Sequence, residues 1–175
     1  MTTPEAIGPI RRYLAADHER LDALLEACVA PGGTIDGEPY EAFRAGLLRH
    51  IGIEEKILFP ATRRAHGGAP LPVLERLHRD HGALALLLVP TPTADLVAEI
   101  RSILEGHNAT EEGAGGVYER CDELPEADVR SVLERMTAYP PVKLAPHFDG
   151  PGAIRRAEDA LRAVGGSREE AEPSR

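Results

Sequence analysis

The chain has 175 residues and a formal net charge of −9 at pH 7. That length suits one domain with room for a buried core, and the acidic balance argues against nucleic acid or an anionic membrane surface as partner. Tryptophan is absent and aromatic residues make up 4%, so leucine, isoleucine, valine and alanine must build the interior.

The apolar run Leu84-Ala85-Leu86-Leu87-Leu88-Val89 stops at Pro90, too short to span a bilayer. The opening Met1-Thr2-Thr3-Pro4-Glu5 has no basic stretch leading into an apolar one, so no signal peptide is expected. Cys28 and Cys121 are too few for a disulfide scaffold and lack a Cys-x-x-Cys spacing. A cytoplasmic protein is the expectation.

Helical periodicity dominates, with no run of alternating strand residues. A first helix is expected from Pro4 or Glu5 to Cys28, with Ile7, Ile10, Leu14, Leu21, Leu25 and Cys28 in its apolar stripe. Pro31 to Gly37 is a loop by composition. A second helix is expected from about Pro39 to Ala65, carrying Phe43, Leu47, Ile51, Leu58 and Phe59. Pro60 should kink it or open its last turn. After His66-Gly67-Gly68-Ala69-Pro70, a third helix is expected over Pro72 to Val89, with Leu74, Leu77, Leu84 and Leu88 inward. Pro90-Thr91-Pro92 turns the chain, and Thr93 caps a fourth helix from Ala94 to Cys121. Gly113, Gly115 and Gly116 weaken its second half. A fifth helix over Glu126 to Ala138 ends at Pro140-Pro141, an ordered loop continues to Pro151, and a short helix follows over Ala153 to Val164. The expected fold is all-α: an up-down-up-down four-helix bundle over residues 1–123 and a C-terminal helical extension over 124–165, with residues 166–175 a charged, flexible tail.

His-x-x-x-Glu-Glu occurs twice, each time after an Asp-His pair: Asp17-His18 with His50, Glu54 and Glu55, then Asp80-His81 with His107, Glu111 and Glu112. Histidine and glutamate four apart project from one face of a helix about a turn apart. His18, His50, His81 and His107 each lie in the apolar stripe of their helix. In antiparallel neighbours, residues equidistant from a turn share a level. The midpoints of His18 with His50, Glu54 with His81, and His81 with His107 fall in or beside the three expected turns. At a rise of about 1.5 Å per residue, all four imidazoles reach one layer. Burying four imidazoles and two carboxylates together is costly without a compensating charge, and a pair of metal cations supplies it. Imidazole and carboxylate without thiolate favour iron or manganese over a closed zinc site.

The candidate ligands are His18, His50, Glu54, His78, His81, His107 and Glu111. Glu54 and Glu111 are expected to bridge, because a carboxylate spans two cations where an imidazole binds one; whether Glu111 or Glu112 bridges stays open. His78, three before His81 and matched by Ala15 in the first half, would give one metal three imidazoles and leave the other an open position. Asp17 and Asp80 are expected to point outward as solvated charges, with a supporting role behind the ligands as the lesser reading, and His66 to be exposed. Tyr13, Tyr40 and Tyr118 are expected to pack, although a tyrosine near such a centre can serve as ligand or redox relay.

His18, His50-x-x-x-Glu54-Glu55-x-x-Leu58-Phe59-Pro60, Arg79-Asp80-His81 and His107-x-x-x-Glu111-Glu112 together resemble the hemerythrin-like (HHE cation-binding) family, over about residues 10–121. The resemblance implies a four-helix bundle holding two non-haem irons that are carboxylate- and oxo- or hydroxo-bridged. Oxygen-carrying hemerythrins have His-x-x-x-His on the third helix where this chain has His78-x-x-His81, and an acid five after the last histidine, here Glu112. The chain therefore looks more like the broad bacterial branch. That branch implies binding of O2 or a related small molecule for sensing or storage, or iron-redox handling. Catalase-like or ferroxidase-like chemistry with peroxide or Fe(II) is a second reading, and a metal-stabilised interaction module a third. The sequence does not fix the oligomeric state.

Overall fold

The computed structural model describes residues 7–69 and 71–169. Among these no strand forms, although Val29 and Ile35 make an isolated antiparallel bridge across the first loop. No helix among them is long and apolar enough to cross a membrane.

The bundle is built from α1 (Pro9–Ala27), α2 (Gly37–Ile53), α4 (Pro72–Leu87) and α5 (Ala94–Glu112), with α3 (Phe59–Ala65) extending α2 and α6 (Val117–Asp122) following α5. Helix α1 packs on α2 and α5, and α4 packs on α5. Asp36 caps α2 by accepting from the Glu38 amide, and Thr93 caps α5 by accepting from the Leu96 amide. The expected start of the first helix at residues 4–5 lies outside the described residues; α1 begins at Pro9, and Ile7 is exposed rather than part of the stripe.

Two local departures from the expected helices bear on the site. Pro60 does not end the second helix. The chain widens instead into a π-helical turn over Glu54–Leu58 before α3 resumes at Phe59. Proline cannot donate an amide to the carbonyl four residues back, and Arg135 approaches that carbonyl, of Lys56, at 3.5 Å. Single π turns inside α-helices concentrate at functional positions, and here the turn begins with the Glu54-Glu55 pair. The fourth helix is not continuous to Cys121: α5 stops at Glu112, and α6 begins at Val117. Gly115 takes φ +70°, and a Cβ on Gly116 would sit 2.3 Å from the Glu111 carbonyl oxygen, so this turn requires glycine.

Helix α7 (Glu126–Thr137) packs on α1 and the π turn, and α8 (Pro151–Glu169) packs along α4. Helix α8 starts two residues earlier and ends five later than the sequence predicts, so residues 166–169 of the expected tail are helical and residues 170–175 lie outside the described residues. Buried Arg44 fixes the intervening loop, donating to the carbonyls of Leu88 (2.8 Å) and Ala145 (2.9 Å).

The apolar interior is in two parts. One surrounds Leu25, Tyr40, Phe43, Leu84, Leu87 and Ile100, at the end of the bundle holding the first loop. The other surrounds Leu14, Ile53, Leu58, Leu77, Tyr118 and Met136. Leu25 shares the first cluster with Tyr40 and Phe43, and Leu14 shares the second with Ile53, as antiparallel packing of α1 on α2 requires. The buried polar residues His18, His50, Glu54, His81, His107 and Glu111 come from all four long helices between these two ends.

Candidate metal centre

Four imidazoles turn their Nε2 atoms toward one another in two pairs. His18 Nε2 lies 3.0 Å from His50 Nε2, and His81 Nε2 lies 3.0 Å from His107 Nε2. Each ring has a carboxylate on its other nitrogen. Nδ1 of His18 meets Glu112 (2.5 Å), that of His50 meets Asp17 (2.9 Å), that of His81 meets Glu55 (2.7 Å), and that of His107 meets Asp80 (3.4 Å). An ionised carboxylate only accepts, so Nδ1–H is the donor in each pair, and in the neutral ring Nε2 is left with its lone pair facing inward.

The scheme repeats across the two halves. Each aspartate before the first histidine of a half holds the second histidine of that half. The second glutamate of each His-x-x-x-Glu-Glu holds the first histidine of the other half. The expectation that Asp17 and Asp80 are solvated outward charges is therefore corrected: both sit behind site imidazoles, and Asp80 is buried. The signal was present in the sequence, because both copies of the repeat carry the acid.

Glu54 and Glu111 are fully buried between the pairs and divide their oxygens between them. Glu54 Oε1 is 3.4 Å from His50 Nε2 while Oε2 is 3.1 Å from His81 Nε2. Glu111 Oε2 is 3.5 Å from His18 Nε2 while Oε1 is 3.2 Å from His107 Nε2. Two four-residue groups result, His18/His50/Glu54/Glu111 and Glu54/His81/His107/Glu111, with ligand atoms inside each within 4.8 Å of one another. The inward glutamate of the second pair is thus Glu111, with Glu112 bound behind His18. Glu54 Oε2 and Glu111 Oε1 have no hydrogen-bond partner despite their short contacts with imidazole nitrogens. Buried carboxylate oxygens that lie close to imidazole nitrogens without a hydrogen bond suit a cation better than a closed hydrogen-bond network. The residues fit a pair of cations.

Charge points the same way. Burial opposes a proton on His50, yet Glu54 and the hydrogen bond to Asp17 raise its pKa to about 10. Burial likewise opposes charge on His107, and Glu111 with Asp80 raises it to about 10. Burial alone would raise Glu54, but His50 and His81 hold it well below the usual carboxylate range. Without metal, protons on His50 and His107 supply positive charge beside the buried carboxylates.

Of the predicted ligands, the structure brings together His18, His50, Glu54, His81, His107 and Glu111, and leaves His78 apart. The His78 side chain is 73% exposed, with Nδ1 at 3.0 Å from both Glu55 oxygens. His78→Ala is therefore expected to leave the metal content of the loaded protein unchanged, measured by elemental analysis of the desalted chain. Loss of one metal of two would return His78 to the site. His66 is exposed and contacts the Thr62 carbonyl through Nδ1, and His147 meets Glu41; both lie away from the layer.

Tyr118, expected to pack, stands in the layer itself. Its hydroxyl donates toward Glu54 Oε1 (2.6 Å) and Glu111 Oε2 (2.9 Å) and lies 3.1 Å from His18 Nε2. Burial, and the charges of Glu111 and Glu54, push its pKa well above the ordinary phenol value. Phe59 stacks on the His81 ring, with centroids 5.5 Å apart and planes 6° from parallel.

The hemerythrin HHE cation binding domain matches the chain over residues 10–114, a stretch that contains every residue of both four-residue groups. The chain belongs to the hemerythrin HHE cation-binding family. No curated protein and no solved structure matches it. The family's cation binding accounts for the inward lone pairs and the unpartnered carboxylate oxygens, while α6, α7 and α8 lie beyond the matched stretch.

Proposed function

We propose that this HHE protein is a non-haem di-iron protein, of the family's bacterial branch, that binds O2 or a related small molecule beside its metal pair for sensing, storage or iron-redox handling. His18, His50, Glu54, His81, His107 and Glu111 would hold the irons, and residues 124–165 form a helical extension of the bundle at 1–123. The observation that carries this reading is the division of each carboxylate between two histidine pairs, which suits two cations sharing oxygen bridges. Iron bound there would supply reversible one-electron redox chemistry and affinity for small oxygen ligands.

The chain's own residues set what reaches that chemistry. Asp17, Glu55, Asp80 and Glu112 fix the imidazoles in one tautomer and orientation. Beside the four rings is a void of about 10 Å³ walled by Leu21, Leu47, Leu84 and Leu104. It is about the least space that holds one water-sized molecule, so it excludes bulk solvent. Asn108 also lines it, with Oδ1 buried and unpartnered.

The test is iron loading of the full chain, with metal analysis and optical spectra under air, under vacuum and after peroxide. About two irons per chain and a spectrum that changes with O2 and reverts under vacuum support the binding reading. Oxygen evolution from peroxide, abolished in His107→Ala, would replace it with an enzyme. A single zinc, or no metal, would remove iron chemistry altogether.

A further inference from the structure

Resting on the metal reading above, we propose that Tyr118 is itself a metal ligand, which makes the two cation positions chemically unequal. Its phenol oxygen would complete the group His18/His50/Glu54/Glu111, while the group Glu54/His81/His107/Glu111 keeps only its four side chains.

The Tyr118 oxygen lies 2.6 Å from Glu54 Oε1, 2.9 Å from Glu111 Oε2, 3.1 Å from His18 Nε2 and 3.4 Å from His50 Nε2. Two of these atoms are carboxylate oxygens, and two are imidazole nitrogens whose ring N–H is already given to Glu112 and Asp17. The phenol oxygen thus stands within 3.4 Å of every inward donor atom of this group, which places it as a fifth donor beside them. His18, His50, Glu54 and Glu111 would hold a cation here, and the phenol oxygen, 2.6–3.4 Å from a donor atom of each, is placed to join them. Coordination exchanges the proton for the cation: the O–H bond breaks, an O–metal bond forms, and the proton leaves to water.

The backbone favours the same conclusion. The break at Gly113–Gly116 ends α5 and starts α6 afresh, and this second start carries the fully buried Tyr118 into the layer. The repeat has no counterpart. Tyr118 is seven residues after Glu111, and seven after Glu54 stands Ala61, which has no donor atom. Tyr118 also lies beyond the family-matched stretch of 10–114. An anionic phenolate favours the higher charge state of the metal it binds, and the second position, with one donor fewer, is where a small molecule exchanges.

The experiment is resonance Raman and visible absorption of the ferric, iron-loaded chain, with metal content measured on the same sample. The expected result is a phenolate-to-iron charge-transfer band whose excitation enhances tyrosine ring modes. Both should vanish in Tyr118→Phe and persist in Tyr13→Phe. Two bound irons without tyrosine modes, or modes that survive Tyr118→Phe, overturn the inference and leave the di-iron reading intact. No bound iron overturns both. Should Tyr118→Phe fail to fold, the enhanced ring modes of the unsubstituted chain decide, because Tyr118 is the tyrosine whose hydroxyl reaches these carboxylates.

Discussion

Glu54→Gln is expected to empty both metal positions, whereas His18→Gln empties one. Glu54 places one oxygen in each four-residue group, so its loss is felt twice, while His18 belongs to one group only. The glutamine keeps the volume, so no cavity forms in the layer. It replaces an anion with a neutral amide, and one of its two terminal atoms becomes a donor that cannot bind a cation. Two cations sharing a buried site repel one another and depend on the bridging negative charge. Removing one partner of a buried, desolvated charge pair costs about 3–5 kcal/mol, a loss of roughly 100-fold or more in affinity. Elemental analysis after loading and desalting against a weak chelator should read close to zero for Glu54→Gln and about one metal per chain for His18→Gln. Two metals retained in Glu54→Gln would mean that Glu54 does not bridge.

Sequence periodicity located the layer because helices impose a rigid register. His18, His50, His81 and His107 lie in apolar stripes, and Glu54 and Glu111 follow one turn later. These are relations along single helices, which spacing can express. What remained hidden depends on which helix stands opposite. Asp17 is adjacent to His18 in sequence but serves His50, on another helix, and Glu112 is on α5 but serves His18 on α1. The sequence does contain a trace of this, since both acids recur in the second copy, but a surface charge repeats as readily as a functional one.

Two further departures have local causes. His78 shares an ideal helical face with His81, yet it stays at the surface, where its Nδ1 meets the same Glu55 that holds the His81 ring. Tyr118 looked like a packing residue of a long fourth helix. Gly115 in a left-handed conformation, and the lack of room for a Cβ at Gly116, break that helix and change where its last turn points. Glycine content warned of weakness there, but it gave no direction for the chain after the break. Pro60 is the reverse case: a strong breaker whose effect was absorbed by a π turn without ending the helix.

Metal removal should lower the melting temperature steeply, and Glu54→Gln should abolish most of that difference. The layer separates two apolar clusters, each too small to dominate alone, so the whole bundle depends on the layer being neutralised. A ligand bound only by the folded chain stabilises it by about 2.7 kcal/mol at 100 times its Kd. Two such sites give roughly 5 kcal/mol, or about 10–20 °C for a chain of this size. The expected readout is a drop of that order in the melting temperature of the chelated protein, restored by adding metal back. In Glu54→Gln the chelated and metal-treated samples should melt within a few degrees of each other. The metal-free variant should also melt below the metal-free parent, because His50 loses the carboxylate that raises its pKa to about 10. A chelated parent as stable as the loaded one would mean that protons on His50 and His107 neutralise the layer as well as metal does. In that case the buried carboxylates are tuned for the chemistry of the site and contribute nothing through metal to the stability of the fold.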